Sequence, residues 1–411
     1  MTRFTVRTFL ARAKQHLQQA SSREGKTAFV VGNESADLDS ITCAIVYGYI
    51  QSSTVTAVRN NSYVIPVTNI PAADLSLRPE LTALLKHADM RPSDLITLDD
   101  LPIPSLPAYK TSWTLVDHNA LTGLLATHYT PSITGVIDHH DDENTIPSSA
   151  QPRIISKSGS CNSLVTNHCR DTWQTISDTS SSIGAALGQE SYRVIDDAHY
   201  TNVWDAQVAK LALGSILVDT SNLKAEDKVT EHDRKAVKFL EAKINISRLG
   251  NDYDRDTFFN ELSEAKADLD GLSLEDILRK DYKQWSEGDI NLGVSSVVKP
   301  ISYLQHKSED LVPSMLKFAK ERELGLFAVM TAFTNEDGGF ARQLLVLSTS
   351  DGKATQAAKR FAESAAEELK LKDSDEQVKQ ADGVVWMQIW NQGNVAASRK
   401  RVGPLLREAM R

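Results

Sequence analysis

The chain has 411 residues with 41% hydrophobic and 24% charged residues, fractions that are typical of globular proteins and exclude a disordered or fibrous chain. Because single hydrophobic cores rarely grow beyond about 250 to 300 residues, this length predicts two domains. The formal net charge of −9 disfavours a nucleic-acid partner, and no apolar run reaches the roughly 18 residues of a membrane span, so we expect neither nucleic-acid nor membrane binding.

The N-terminal segment is the first predicted element. The first 20 residues contain no Asp or Glu, a composition that mitochondrial presequences also have. We interpret the segment instead as an amphipathic helix that packs on the first strand, with the mitochondrial matrix as the alternative to a cytoplasmic location. Its basic residues are Arg3, Arg7, Arg12 and Lys14, and its apolar residues are Phe4, Val6, Phe9, Leu10 and Leu17.

Short apolar strands then alternate with helices. The predicted strands are residues 27–31, 64–67, 95–98, 114–116, 133–137 and 153–155, and the predicted helices are residues 40–50, 81–88 and a further helix through residue 164. This alternation predicts βαβ units and a mainly parallel sheet. Ligands of such sheets bind beyond the carboxyl ends of the strands, which is where we expect the site.

The second half of the chain predicts a different architecture. An amphipathic helix at residues 231–243 precedes a polar segment, residues 245–256, which we interpret as a linker between domains 1–244 and 257–411. Three later apolar segments, residues 292–301, 326–333 and 343–348, predict antiparallel strands, with the turn Asp337-Gly338-Gly339 between the last two. Residues 383–389 predict a final strand. The fold class is therefore α/β, a parallel-sheet domain followed by a smaller mixed α/β domain.

The cysteines Cys43, Cys161 and Cys169 show no CxxC spacing. This pattern argues against a disulfide scaffold and against a structural zinc site. It favours a reducing compartment, and we expect the cytoplasm.

Acidic residues follow the predicted strands. Asp37 and Asp39 lie two apart in the loop before the helix 40–50, a spacing that can aim two carboxylates at neighbouring ions. The alternative is helix capping, in which Asp39 or Ser40 accepts the free N–H groups of that helix.

Two further motifs share this placement, and Asp219 is the exception. Asp117-His118 and Asp138-His139-His140 each follow an apolar strand, whereas Asp219 follows the helical or mixed apolar run 211–218, which leads into a loop. A single His beside acids is usually a surface ion pair, but this recurrence at strand ends favours a site for divalent metal ions, and imidazole with carboxylate suits manganese.

With these motifs the chain resembles the DHH phosphoesterase superfamily, named for the sequence Asp138-His139-His140. It is most similar to the branch with the second type of C-terminal domain, DHHA2, which contains family II inorganic pyrophosphatases, fungal exopolyphosphatases and prune proteins. The resemblance covers residues 30–405 and is nearest to the fungal exopolyphosphatases.

The resemblance implies a site for two divalent ions. One ion would be bound by Asp37, Asp117 and Asp219, and the other by Asp39, Asp117, His139 and Asp219, with Asp117 and Asp219 bridging. Asn33 stands where the pyrophosphatases have a histidine ligand, which weakens the preference for manganese and admits magnesium or cobalt.

The resemblance also implies the substrate contacts. Water activated between the ions would attack phosphorus, with Asp117, Asp219 and His140 as catalytic residues, and His118 would bind phosphate or orient Asp117. The phosphate-binding residues of the second domain would be Lys283, Ser398, Arg399 and Lys400. Without the resemblance, we would interpret Ser398, Arg399 and Lys400 as part of a basic C-terminal tail on an acidic protein.

Several functions fit such a site. We favour a monomeric exopolyphosphatase acting on inorganic polyphosphate over an inorganic pyrophosphatase, because Asn33 and the extra segments 171–198 and 351–382 distinguish the chain from compact pyrophosphatases. A prune-like regulatory protein would be expected to alter His139 or His140, and both are intact. An oligonucleotide-cleaving relative would need a glycine-rich motif with histidine, which Gly338-Gly339-Phe340 lacks.

Overall fold

The computed structural model describes residues 4–186, 191–308, 310–335, 337–350, 352–376, 378–379 and 382–411, and only the backbone between 180 and 201. Arg3 and parts of the predicted extra segments, at 187–190, 351, 377, 380 and 381, lie outside the described residues. The chain divides into two compact units, Met1–Ala265 and Lys266–Arg411. The predicted linker 245–256 lies within the first unit and contains the short helix Arg248–Gly250, and the domain limits drawn from the sequence stay a prediction.

The first unit is a parallel sheet with helices packed against it. Its strands are β1 (Thr27–Val31), β2 (Val64–Val67), β3 (Thr111–Val116), β4 (Ile133–Asp138) and β5 (Arg153–Ile155), in the order β2-β1-β3-β4-β5, all parallel. Its helices are α1 (Val6–Gln18), α2 (Leu38–Ser52), α3 (Val55–Arg59), α4 (Pro79–Lys86), α5 (Gly123–Tyr129), α6 (Cys161–Ala186), α7 (Ser191–Asp219), α8 (Glu231–Asn245) and α9 (Arg255–Ala267). The predicted parallel sheet is confirmed.

Apolar burial explains why these elements form. Central strands β1 and β3 bury both faces, as parallel sheets do, with Val30, Val31, Leu115 and Val116 all at 0% exposure. Truncating one such side chain to Ala would cost about 2 to 5 kcal/mol through lost burial and the cavity left behind. The predicted N-terminal helix is confirmed as α1, whose buried side is Val6, Phe9, Leu10, Ala13, His16 and Leu17.

One predicted strand in the first unit is wrong. At residues 95–98 the structure has an isolated parallel bridge between Thr68 and Thr97, and the chain then turns into the short helix Leu98–Asp100. The Asp100 carboxylate accepts a hydrogen bond from the N–H of Thr97 at 3.0 Å. This N–H therefore binds a side chain, whereas in a longer strand it would bind a backbone carbonyl.

The second unit contains a mixed six-stranded sheet of order β12-β13-β11-β8-β7-β6. Its strands are β6 (Tyr282–Glu287), β7 (Ile290–Val297), β8 (Leu326–Thr331), β9 (Phe333–Thr334), β10 (Phe340–Ala341), β11 (Gln343–Ser348), β12 (Leu371–Asp373) and β13 (Trp386–Gln392), with β9 and β10 forming a separate hairpin. Its helices are α10 (Leu274–Lys280), α11 (Ile301–Lys307), α12 (Leu311–Glu321), α13 (Lys353–Ser364), α14 (Ala366–Leu369) and α15 (Arg399–Met410).

The predicted antiparallel pairing of this unit is only partly right. Strands β8 and β11 are antiparallel, with the predicted turn 337–339 between β9 and β10, but β7 and β8 are parallel. The connection through α11 and α12 carries the chain back to the starting edge, as a parallel crossover requires. Ile301 begins α11 and does not extend the strand.

None of the helices in the described part of the chain combines the length and apolar character needed to cross a membrane.

Candidate metal centre

The candidate site lies where strands β1, β3 and β4 end. Asn33 follows β1, Asp117 follows β3, and His139 and His140 follow Asp138, the last residue of β4. Because the carboxyl ends of parallel strands meet at one edge of a sheet, residues more than 80 positions apart in sequence reach the same place. Gly32 lets α2 approach β1 closely, since a Cβ there would lie 2.7 Å from the Ser40 side chain.

Asp117 is the centre of this group. Its φ of 61° is left-handed, a conformation that costs a non-glycine residue about 1 to 2 kcal/mol and that its surroundings must enforce. The buried carboxylate accepts hydrogen bonds at Oδ2 from Asn33 Nδ2 at 2.7 Å and from Ser40 Oγ at 2.6 Å. Its Oδ1 lies 3.1 Å from His139 Nε2. The hydrogen bonds therefore fix the direction of the carboxylate and aim Oδ1 at the imidazole.

The geometry of His139 fits a metal ligand. Its Nδ1 lies 3.0 Å from the carbonyl oxygen of Ser158, which can only accept, so Nδ1 carries the proton. In the neutral ring Nε2 then presents a lone pair to Asp117 Oδ1, and two lone pairs in contact need a cation or an added proton between them. Imidazoles that bind metals commonly donate their other N–H to a carbonyl in this way.

Asp138 orients His140. The His140 Nδ1 lies 2.7 Å from Asp138 Oδ1 and 3.9 Å from Asp117 Oδ1. Burial acts to raise the pKa of Asp138, but the hydrogen bond and charge of His140 and a hydrogen bond from Asn119 outweigh it and lower that pKa. His140 is partly exposed, and its Nδ1 is hydrogen-bonded to the Asp138 carboxylate. This placement suits a side chain that donates a proton to a bound molecule.

Asp117, His139 and His140 offer ligand atoms that all lie within 4.8 Å of one another, and they form the potential metal-binding group found among the described residues. His140 Nδ1 donates to Asp138, so Asp117 and His139 are the members of this group that present lone pairs. A carboxylate with an imidazole suits borderline divalent ions such as manganese or cobalt more than calcium. The residues present therefore fit a divalent metal ion.

Asp37 is the N-cap of α2. Its carboxylate is exposed and accepts the N–H of Ser40 at 2.9 Å. The sequence offered Asp39 or Ser40 for this capping role, which is a wrong assignment: the cap is Asp37, because the residue before the first helical turn is the one whose side chain reaches that N–H.

Asp39 instead points at the N-terminus of α6. Its carboxylate accepts from Ser160 Oγ at 2.7 Å, Cys161 N at 2.7 Å and Asn162 N at 3.1 Å. Burial raises the pKa of Asp39, the nearby negative charge of Asp117 raises it further, and His139 opposes the shift. Two buried carboxylates that repel each other are a second sign that this edge of the sheet suits a cation.

Asp219 is the last residue of α7 and is half-buried. It does not belong to the group formed by Asp117, His139 and His140. The ligand roles of Asp219, Asp37 and Asp39 therefore stay predictions.

Asn33 supports Asp117 through its amide. The N–H of Ser35 donates to Asn33 Oδ1 at 2.9 Å, so this oxygen faces Ser35 and the amide nitrogen faces Asp117. An amide nitrogen has no lone pair to offer a metal. The residue at the position of a family ligand thus acts here as a hydrogen-bond donor to another candidate ligand.

Several residues of this site were not anticipated from the sequence. Ser40 and Ser158 bind Asp117 and His139, and serine shows no pattern that marks such a role. Asp138 could have been found, since it opens the Asp-His-His motif. His118 has Nδ1 2.9 Å from the carbonyl of Val116 on its own strand.

In the second unit, two of the predicted phosphate-binding residues, Arg399 and Lys283, interact with Asp281. Arg399 donates from Nη1 to the Asp281 carbonyl at 2.9 Å and from Nη2 to its carboxylate at 2.6 Å. Burial acts to raise the pKa of Asp281, but Arg399 and the positive charge of Lys283 lower it. Ser398 is the N-cap of α15, and Lys400 in its first turn is exposed. Arg399 and Lys283 thus both act on one acid, Asp281.

Cys43, Cys161 and Cys169 are free and buried. Burial raises the pKa of Cys161 and of Cys169 to about 12. Burial therefore favours the neutral thiol over the reactive thiolate in these two residues at neutral pH.

Two family models match the chain: the DHH family N-terminal domain over residues 27–191 and the DHHA2 domain over residues 260–409. A protein of Schizosaccharomyces pombe, provisionally named an exopolyphosphatase, is 34% identical over 93% of this chain and 91% of its own length. The human exopolyphosphatase PRUNE1 is 27% identical over 95% of this chain and 78% of its own length. A manganese-dependent inorganic pyrophosphatase of Methanothrix thermoacetophila is 23% identical over 79% of this chain and 86% of its own length.

The fold also matches a solved structure. A crystal structure from Methanococcus jannaschii, provisionally named a family II inorganic pyrophosphatase, superimposes with a TM-score of 0.57 over 93% of this chain and 99% of that chain, at 19% identity. This likeness confirms the predicted fold class.

Proposed function

Since this chain belongs to the phosphoesterase family that joins a DHH domain to a DHHA2 domain, we propose that it is a metal-dependent exopolyphosphatase releasing terminal orthophosphate from inorganic polyphosphate. Relatives named as exopolyphosphatase or inorganic pyrophosphatase support hydrolysis of phosphoanhydride bonds. The enzyme acts as a cytoplasmic monomer in this proposal.

The observation that carries the proposal is the contact between Asp117 Oδ1 and His139 Nε2 at 3.1 Å. Both atoms present lone pairs, both side chains are oriented by other hydrogen bonds, and Asp39 adds a second buried carboxylate nearby. A divalent cation would satisfy Asp117 and His139 at once, and its charge would offset the repulsion between Asp39 and Asp117. Magnesium or manganese would bind here, with cobalt as a third candidate, and the name of the manganese-dependent relative supports a divalent metal.

The residues of the first unit have distinct roles in this reaction. Bound divalent ions would supply a hydroxide-like water near neutral pH and would draw negative charge from the phosphate. Asp37, Asp39, Asp117, His139 and Asp219 would hold two such ions. Among them Asp117 and Asp219 would also act as catalytic residues by fixing where the water is held.

His140 handles the proton. Asp138 accepts the hydrogen bond from its Nδ1 and so fixes the ring, and the other nitrogen of the protonated ring can donate to a phosphate oxygen. His118, which is anchored to its own strand, contributes to phosphate binding beside Asp117.

The second unit binds phosphate through positive charge and a helix N-terminus. The Arg399 fork now grips Asp281 and can grip a phosphate with the same two donors, while Lys283 and Lys400 act as point charges. Ser398 lies at the N-terminus of α15, whose free N–H groups also favour anions. A polyanion of several phosphates offers more oxygens to such a set than pyrophosphate does.

An inorganic pyrophosphatase is the second candidate, favoured by the pyrophosphatase relative. Asn33 argues against a pyrophosphatase. It occupies the position where the pyrophosphatases have an imidazole ligand, and its amide nitrogen donates to Asp117. A prune-like regulatory phosphoesterase acting on short polyphosphates or nucleotides is a variant of the same chemistry.

Phosphate release across chain lengths tests the proposal. The purified protein with magnesium or manganese should release phosphate steadily from long polyphosphate and scarcely from pyrophosphate. The opposite preference would establish the pyrophosphatase, and activity confined to chains of three or four phosphates would establish the prune-like alternative. Asp117→Asn serves as the inactive control.

A further inference from the structure

The segment that precedes α6, residues 158–162, touches two candidate metal ligands. The Ser158 carbonyl accepts the Nδ1–H of His139 at 3.0 Å. Ser160 Oγ donates to Asp39 at 2.7 Å, and two backbone N–H groups at the start of α6 donate to the same carboxylate. This short segment, which we call the α6-entry segment, therefore determines where both side chains point.

Asp233, in the first turn of α8, anchors the α6-entry segment. Its side chain is at 0% exposure. Oδ1 accepts from Gly159 N at 3.1 Å, Ser160 N at 3.2 Å and Ser163 Oγ at 2.7 Å. Oδ2 accepts from Thr230 N at 2.7 Å and Thr230 Oγ at 2.8 Å, and also from Gly159 N at 2.9 Å.

The two oxygens of Asp233 differ in what they bind. Oδ2 completes the capping box of α8 with Thr230, a common helix-start device for which one oxygen suffices, and also accepts from Gly159. Oδ1 is directed to the segment around Gly159, more than 70 residues away in sequence. Helix capping alone leaves the second set of contacts unexplained.

Close packing holds the segment on its other side. A Cβ added to Gly159 would lie 2.5 Å from Thr220 Cγ2 and 3.2 Å from both carboxylate oxygens of Asp233. Thr220 directly follows Asp219, another proposed ligand. The α6-entry segment is thus confined between the end of α7 and the start of α8, and a shift of any of these parts would move the others.

We propose that Asp233 is a positioning residue of the metal centre, which fixes the α6-entry segment so that Asp39 and His139 are held ready for the metal. This inference rests on the proposed function in taking those two residues as ligands. Asp233 contacts neither of them and acts through the segment. Residues that orient metal ligands without contacting the metal commonly influence how tightly the metal binds.

The experiment compares Asp233→Asn with a matched control, Asp205→Asn. Asp205 is equally buried in the same unit and accepts from Trp173 and Ser177 beside Lys243, which are partners outside the α6-entry segment. The dissociation constant for Mn²⁺ is measured on the metal-stripped proteins from the electron paramagnetic resonance signal of free Mn²⁺. Melting temperatures of the same samples report stability separately.

Asp233→Asn should weaken Mn²⁺ binding about 10- to 100-fold, because an amide can accept on one oxygen only and its NH₂ group would face backbone donors. Asp205→Asn should change the dissociation constant less than about threefold at a temperature where it is folded, whatever its melting temperature. Equal loss of stability in both variants with unchanged Mn²⁺ affinity would overturn the inference.

A second variant decides the case if Asp233→Asn does not fold. Gly159→Ala keeps the buried carboxylate but pushes the segment away from Thr220, so it should also weaken Mn²⁺ binding, and unchanged affinity would contradict the inference. Absence of Mn²⁺ binding in the wild type would instead refute the proposed function. Binding that is lost in Asp117→Asn and kept in Asp233→Asn would refute only the role of Asp233.

Discussion

Asp117→Asn should keep the fold and remove metal binding, because the hydrogen bonds around residue 117 determine how the new amide is oriented. Asn33 and Ser40 both donate to Oδ2, so the amide oxygen should take that place. The amide NH₂ group then replaces Oδ1 and faces the Nε2 lone pair of His139, which lies at 3.1 Å in the wild type. The metal-free variant keeps its two hydrogen bonds and gains a third.

The expected stability change follows from these bonds. Hydrogen bonds to a charged group contribute about 1.5 to 3 kcal/mol and neutral ones about 0.5 to 1.5, so two weakened bonds cost roughly 2 to 3 kcal/mol and the new bond to His139 returns about 1. Removal of the charge that raises the pKa of Asp39 offsets more of the cost. With about 2 to 4 °C per kcal/mol for a unit of this size, the melting temperature of the metal-free protein should shift by less than about 8 °C.

Metal binding should respond very differently. An amide NH₂ group cannot coordinate a cation, so affinity for Mn²⁺ should fall by more than the roughly 100-fold that loss of an outer partner can cause, or more than about 2.7 kcal/mol. Phosphate release should fall below a few per cent of the wild type. Mn²⁺ titration, melting and phosphate assays are run on the same preparation, with Asp205→Asn as the control. Wild-type Mn²⁺ affinity in a folded Asp117→Asn protein would refute the assignment of Asp117 as a ligand, and unfolding of the metal-free variant would refute the hydrogen-bond orientation.

Three further substitutions test other parts of the site. Asn33→His should shift the ratio of manganese- to magnesium-supported activity toward manganese, and an unchanged ratio would show that this position does not set metal preference. His140→Gln should lower kcat about 100-fold or more while Mn²⁺ affinity changes less than tenfold; a parallel loss of both would make His140 a ligand instead of a proton donor. Arg399→Ala should raise KM for polyphosphate about tenfold or more by removing charge-assisted hydrogen bonds, and a rise confined to kcat would contradict that role. Because Arg399 holds the pKa of Asp281 below its usual value, the pair stabilises the fold above about pH 4 and loses this effect as pH falls through the lowered pKa, so the wild-type and Arg399→Ala melting temperatures should converge in acid.

The order of strands and acidic motifs along the sequence predicted most of what positions the site. Apolar runs separated by helices implied a parallel sheet, and the carboxyl ends of parallel strands meet at one edge. Asp117, His139 and His140 could therefore be expected together from their places at predicted strand ends, and they are together. Hydrophobic periodicity and strand-end position suffice to predict this grouping. Both can be recognised locally in the sequence, and the parallel sheet then brings the strand ends close together.

The hydrogen-bond partners of the side chains at this site could not be predicted from sequence in this way. Asp39 binds the start of α6, more than 120 residues away, Asn33 turns its amide nitrogen to Asp117, and Asp233 ties α8 to the α6-entry segment. Each choice depends on which donor lies within about 3 Å once the helices have packed, and a carboxylate or amide looks the same in sequence whichever donor it meets. Sequence alone determined which side chains reach this edge of the sheet, and only the tertiary structure decided which of them bind one another.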